Sequence, residues 1–104
     1  MTKKQKSSSV FRIQGELTIY RAAALKQELL EFLDQHNSID IDLSEVSEFD
    51  SAGIQILLLA KKTALSKEKS LRLVEHSTPV LEGLELLNLS SYFGDPLFIP
   101  SKNA

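Results

Sequence analysis

Apolar and polar positions along the chain follow two periods in turn. From Ser9 to Gln14, Phe11 and Ile13 alternate with Val10, Arg12 and Gln14. That period of two predicts a strand, and Gly15 permits a bend or bulge after it. Glu16, Leu17 and Ile19 lead into a second pattern that starts at Arg21, where Ala22, Leu25, Leu29, Phe32 and Leu33 fall on one stripe. Lys26, Gln27, Glu28, Glu31 and Asp34 lie off it, so the spacing predicts an amphipathic helix covering a sheet.

The stretch Ile39 to Ala60 organises the rest. Ile39, Ile41 and Leu43 alternate with Asp40 and Asp42, which predicts a second strand, and Ser44 to Phe49 reads as a loop. Ile54, Leu57, Leu58 and Leu65 then recur at helical spacing, so Asp50 and Ser51 stand where a helix begins. Gly53 falls in its first turn, where glycine costs roughly 0.5–1 kcal/mol relative to alanine. Either a docking partner or tight packing on the strand compensates. From Ile54 to Ala60 only Gln55 is polar, so the helix is either sandwiched or partly exposed for a partner. Ile56 and Leu59 lie off the Ile54, Leu57, Leu58 stripe and are the expected exposed pair.

Lys61, Lys62, Lys67 and Lys69 gather towards the end of this helix, where solvated cations match its dipole. Leu71 to Glu75 predicts a third strand. Thr78 and Pro79 read as a cap and first helical residue ahead of Val80, Leu81, Leu84 and Leu86 or Leu87, with Gly83 where the helix crosses another helix closely. Gly94-Asp95-Pro96 is a turn signal, and Leu97 to Ile99 a last short strand ended by Pro100. Strands alternating with helices predict an α/β fold with a mostly parallel sheet of about four strands and an antiparallel edge. The expected organisation is a polar tail over residues 1–8, one domain over 9–100 and a short tail over 101–104.

Composition narrows the function. The chain has 104 residues, a formal charge of −2 and no cysteine. One domain with one core fits that length, and the mild acidity argues against a nucleic-acid footprint. Disulfides, thiol nucleophiles and thiolate metal sites are excluded. Lys3, Lys4 and Lys6 have no apolar run behind them, so the start is not read as a secretory signal. The run Ile56 to Ala60 is far short of the roughly 20 residues of a membrane span. The expected setting is the cytoplasm, without membrane insertion, cofactor or metal.

The first amides of a helix lack partners and carry the positive end of its dipole, so a phosphate there is stabilised. Ser51 is therefore the candidate phosphoacceptor. Ser44 to Ser51 and His76 to Thr78 are expected on one edge of the sheet, where α/β domains meet ligands and partners. A histidine after a strand is read first as a loop hydrogen-bonder, and His36 as structural. Asp40 and Asp42 read as acids on a polar strand face or as shaping the acceptor loop, and Phe49-Asp50-Ser51-Ala52-Gly53 lacks the first glycine of a hydrolase nucleophile elbow. Enzymatic activity is not expected.

A strand ending in Asp-Leu-Ser, a short loop with a large apolar residue, then Asp50-Ser51-Ala52-Gly53-Ile54 opening a leucine-rich helix resembles the STAS domains of bacterial anti-sigma factor antagonists. The likeness runs from about Val10 to Phe98 and includes Gly15-Glu16-Leu17 and the closing Leu87-Asn88-Leu89 to Phe93 segment. It implies a STAS-type fold and phosphorylation of Ser51 by a partner kinase that is also an anti-sigma factor. Asp42, Ser44, Glu48, Asp50, Ala52, Gly53, Ile54, Ile56 and Leu59 would form the acceptor loop and docking surface. Where the sporulation and stress antagonists carry an aspartate near the acceptor, this chain has Thr18, and Ala52 replaces a second hydroxyl residue. With Thr18-Ile19-Tyr20 and Gly94-Asp95-Pro96-Leu97, these departures resemble STAS proteins found beside chemotaxis and two-component genes in proteobacteria, which implies a histidine kinase or phosphatase as partner.

Three functions compete. The first is a non-catalytic switch whose phosphorylated loop, already holding Glu45, Glu48 and Asp50, resists desolvation and releases its partner. The second is a constitutive accessory subunit similar to the STAS component of bacterial phospholipid-transport ATPases. The third is a binder of a small nucleotide or lipid in the strand-end crevice.

Overall fold

The computed structural model describes residues 8–86. In chain order it contains β1 (Ser9–Leu17), α1 (Ala22–Gln35), β2 (Ser38–Phe49), α2 (Ser51–Ser66), β3 (Ser70–Val74) and α3 (Thr78–Leu86). The three strands form one sheet in the order β1-β2-β3, and both pairings are parallel. One face is apolar: Ile13, Ile39, Ile41, Leu43, Leu71 and Leu73 are buried against Leu25, Leu29 and Leu33 of α1 and Leu57, Ala60 and Ala64 of α2.

The opposite face is polar and carries two cross-strand ion pairs. Arg12 stands level with Asp42 and donates from Nε to its Oδ2 at 3.1 Å. Asp40 stands level with Arg72, whose Nη2 lies 3.0 Å from Asp40 Oδ2. Half-exposed pairs of this kind contribute about 0–1 kcal/mol each, so their larger effect is on register. A one-residue slip would turn the carboxylates under the helices and expose Ile39 and Ile41. Asp40 and Asp42 are thus acids on a polar strand face.

Two expected boundaries move. β1 does not stop at Gln14, because Gly15 adopts φ +84° inside the strand and register shifts flank it, between Arg12 and Gln14 and between Gly15 and Glu16. Arg21 Nη1 donates to the carbonyls of Gln14 and Glu16, which holds the irregular segment. The segment expected as a loop, Ser44 to Phe49, is the second half of β2. Each register shift places one extra residue on β2, so inward positions run Leu43, Val46, Phe49, a spacing of three that hides the strand from a period-two reading.

β3 ends level with Asp42, and β2 continues past it. α3 packs against this overhang. The helix begins at Thr78, its expected cap, and the capping position moves to Ser77, whose carbonyl accepts the Leu81 N–H at 2.9 Å. Gly83 rests on the ring of Phe49: a Cβ there would lie 2.6 Å from Cδ2 and 2.7 Å from Cε2. The close crossing at Gly83 is therefore with the end of a strand rather than with another helix. The lysines near the end of α2 are tethered more than expected, with Lys61 donating to the Leu71 carbonyl at 3.0 Å, Lys67 pairing with Asp34 at 3.3 Å and Lys69 donating to the Leu33 carbonyl.

All strand pairs among the described residues are parallel. The expected last strand Leu97 to Ile99, the Gly94-Asp95-Pro96 turn, the Leu87 to Phe93 segment and residues 1–7 lie outside the described residues. Among the described residues, no helix is long and apolar enough to cross a membrane.

The Gly83 contact makes a stability prediction. Alanine gains about 1 kcal/mol of helix propensity, but overpacking of a close contact costs about 1–3 kcal/mol. Gly83→Ala should lower the urea midpoint, and adding Phe49→Leu should return part of the loss. Additive effects of the two changes would exclude the contact as the cause.

Candidate functional site

The start of α2 is built by one carboxylate. Asp50 has extended backbone (φ −131°, ψ −172°), and its Oδ1 accepts the amides of Ala52 at 2.9 Å and Gly53 at 3.1 Å. This is an N-cap that satisfies two of the first-turn donors. Its Oδ2 accepts the amide of Ile19 at 3.2 Å, so the same side chain ties the segment between β1 and α1 to the start of α2. Partial burial pushes the Asp50 carboxyl up, but the donors of Ile19, Gly53 and Ala52 outweigh it and hold the group below the usual carboxylate range. The amides expected to receive a phosphate thus already have an anionic partner.

Gly53 is explained by packing. A Cβ there would stand 2.3 Å from the carbonyl oxygen of Leu17 and 3.0 Å from Cδ1 of Phe49. Of the two explanations the sequence left open, tight packing on the strand is the one the structure displays. The contact brings the first turn of α2 onto the end of β1.

Ser51 is exposed at the first position of α2 and lies on an open groove of about 710 Å³. Ile19, Ala22, Ala23 and Lys26 form one wall; Ala52, Gln55, Ile56 and Leu59 form the other with Ser51. Beside it, Ile19 and Tyr20 are 66% and 87% exposed. Ile56 corrects an expectation: it is only 5% exposed, while Leu59 is half-buried. α1 packs along α2, so the apolar circumference of α2 is divided between sheet and neighbouring helix, and Ile56 becomes groove lining rather than an open docking residue. Ile54 is buried as its stripe position requires.

The other candidates separate. Glu48 is exposed at the end of β2, level with Glu16 of β1. Thr18 is buried; its hydroxyl donates to Glu16 Oε1 at 2.7 Å and accepts the Tyr20 amide at 3.3 Å, shaping its own loop. Asp42 and Ser44 do not line the groove with Ser51. Asp42 is buried on the polar sheet face, where its Oδ1 accepts the Ser44 amide at 2.9 Å, so the pair shapes the first irregularity of β2 rather than the acceptor loop. Burial raises the Asp42 carboxyl, yet the hydrogen bonds from Ser44 and Arg12 and the Arg12 charge bring it below its ordinary value.

His76 is not beside Ser51 either. The Ser77 amide donates to the Leu43 carbonyl at 3.2 Å, which sets His76 at the middle of β2 rather than at its end. Burial alone lowers the His76 pKa, and its Nε2 and the Ser77 Oγ are buried without a hydrogen-bond partner among the described residues. His36 is structural as expected, with Nδ1 2.9 Å from the Phe32 carbonyl and its ring 4.2 Å from that of Phe32. Among the described residues no cluster of His, Asp and Glu could hold a metal ion. The Ile19-Tyr20 segment and Lys26 were missed in the sequence. The available signal was a pair of large apolar residues between a bulged strand and a helix, without partners on the helical stripe.

Comparison with known proteins bears on this geometry. The family model described as "Mlab, STAS domain" matches residues 1–98. A crystal structure of a candidate anti-sigma factor antagonist from Thermotoga maritima is 27% identical, with a TM-score of 0.72 over 79% of this chain and 72% of that one. An anti-sigma factor antagonist from Mycobacterium paratuberculosis is 26% identical, with a TM-score of 0.76 over 94% of this chain and 85% of the other. The anti-sigma factor antagonist SpoIIAA in its unphosphorylated form shares the fold at 17% identity, with a TM-score of 0.68 over 90% and 85% of the two chains.

Two predictions rest on the site. Gly53→Ala should destabilise the protein by about 1–3 kcal/mol in urea titration, because a backbone carbonyl has little room to yield; an unchanged midpoint would contradict the contact. Asp42, Asp50 and His76 all bind protons less readily folded than unfolded, so stability rises with pH where each titrates. The His76 contribution should be lost as pH falls below about 6.5, and the carboxylate contributions as it falls below about 4. Urea midpoints should therefore drop in two stages, and His76→Leu should flatten the upper one.

Proposed function

The chain belongs to the STAS family, and from that premise we propose that it is a non-catalytic signalling module that binds a partner kinase or anti-sigma factor and releases it when Ser51 is phosphorylated. The observation that carries this reading is the exposed Ser51 hydroxyl on the rim of an apolar groove between α1 and α2. The partner is a serine kinase of the anti-sigma type or a histidine-kinase-type signalling protein, and the exchange takes place in the cytoplasm.

In the modification step the Ser51 oxygen attacks the terminal phosphorus of a nucleoside triphosphate held by the kinase. The oxygen–phosphorus bond forms, the bond to the bridging oxygen breaks, the nucleoside diphosphate leaves and the hydroxyl proton passes to a base on the kinase. The product carries about −1.5 to −2 charges at Ser51, next to Asp50 and close to Glu48. A partner covering Ile19, Ala22 and Leu59 would have to desolvate that charge, and burying an uncompensated anion is strongly unfavourable. The unmodified protein binds and the phosphorylated protein lets go.

The test compares Ser51→Ala and Ser51→Asp as ligands for the purified kinase, with phosphosite mass spectrometry on the wild type. A phosphate mass shift that Ser51→Ala abolishes, with affinity at least about tenfold lower for Ser51→Asp, is the expected outcome. Equal affinity of the two variants would overturn the switch. A transport ATPase held alike by both would identify a constitutive accessory subunit, and nucleotide or lipid binding indifferent to Ser51 would identify a small-ligand domain.

A further inference from the structure

We propose that Asp50 is the positioning residue that couples Ser51 to the exposed Ile19-Tyr20 segment, and that a phosphoryl group on Ser51 releases this segment by competing with the Asp50 carboxylate. The inference rests on the reading of Ser51 as phosphoacceptor and adds how the modification reaches the apolar rim.

The geometry is a shared anion. Asp50 Oδ1 takes the amides of Ala52 and Gly53, and Oδ2 takes the amide of Ile19. A second backbone bond, from the Asp50 amide to the Leu17 carbonyl at 3.4 Å, lies alongside. Beyond these bonds the segment is braced within itself and on β1, by Thr18 on Glu16 and Tyr20, by the Arg21 amide on the Thr18 carbonyl at 3.0 Å and by Arg21 Nη1 on the Gln14 and Glu16 carbonyls. Among the described residues, Asp50 Oδ2 is therefore the side-chain hydrogen bond that links α2 to the residues that present Ile19 and Tyr20.

A phosphoryl group on the neighbouring residue brings three strong acceptor oxygens to the same first-turn amides. It also sets about −1.5 to −2 charges beside the Asp50 carboxylate. Competition for Ala52 and Gly53 and repulsion of the carboxylate both turn Asp50 away from its present position. The Ile19 amide then loses its acceptor, and the wall of the groove carrying Ile19 is no longer pinned to the wall carrying Ser51. Charge at one residue thereby loosens an apolar contact surface formed by another part of the chain.

Asp50→Asn isolates the link. Asparagine is as good an N-cap as aspartate, so its amide oxygen keeps Ala52 and Gly53, while its NH2 group faces the Ile19 N–H as a donor and cannot accept it. Hydrogen exchange of the single amides is measured on the full chain as wild type, as Asp50→Asn, and with phosphoserine installed at residue 51 during synthesis. Both altered proteins should exchange the Ile19 amide about tenfold faster, as expected for loss of a charge-assisted hydrogen bond. Ala52 and Gly53 should stay protected in Asp50→Asn. The proposal is overturned if either altered protein leaves Ile19 within about twofold of wild type. Because no kinase or partner enters this measurement, a failure here leaves the partner switch standing, and equal partner affinity of Ser51→Ala and Ser51→Asp would leave the coupling standing.

Discussion

The close approach of α2 to the end of β1 is the constraint on which the site depends. Gly53 leaves room for the Leu17 carbonyl, and only at that separation does the Asp50 carboxylate span from its own helix to the Ile19 amide. Phe49 wedges the same junction from below, meeting Gly53 of α2 on one side of its ring and Gly83 of α3 on the other. Two helices and two strands thus converge on one aromatic side chain. The absence of two β-carbons is what allows it.

The groove follows from this junction. Once α2 is seated, its apolar circumference must be divided between the sheet and α1, and the division leaves Ile56 as groove lining with Ser51 at the mouth. Exposed apolar side chains scattered singly are ordinary on a protein surface. Ile19 and Tyr20 differ because they sit together beside a groove with the Ser51 hydroxyl on its rim. Charge on that hydroxyl and cover over those side chains would be opposing demands, which is the physical content of the switch proposed above.

Local signals carried much of this into the sequence. The α1 stripe of Leu25, Leu29 and Leu33 and the start of α2 at Asp50 and Ser51 depend on neighbours three or four residues away, and both were legible. The second half of β2 was not, because two extra residues break the period of two at the points where Gln14 and Glu16 of β1 find their partners. The burial of Ile56 was hidden for another reason: which side of α2 is covered depends on where α1 lies, and the alternation within α2 holds no record of that. The bond from Ile19 to Asp50 joins residues 31 positions apart and has no local signature at all.

The irregular register of β2 has one more implication, for how this backbone tolerates changes in length. Removing a single residue between Asp42 and Glu45 would not shorten a loop; it would take out the irregularity, restore strict alternation and leave Val46 facing the helices. A residue lost between Ile39 and Asp42, where the pairing is regular, would instead turn Asp42 under the helices or Ile39 out to solvent. The strand thus has slack of one residue where its register already shifts, and none in the evenly paired stretch before it.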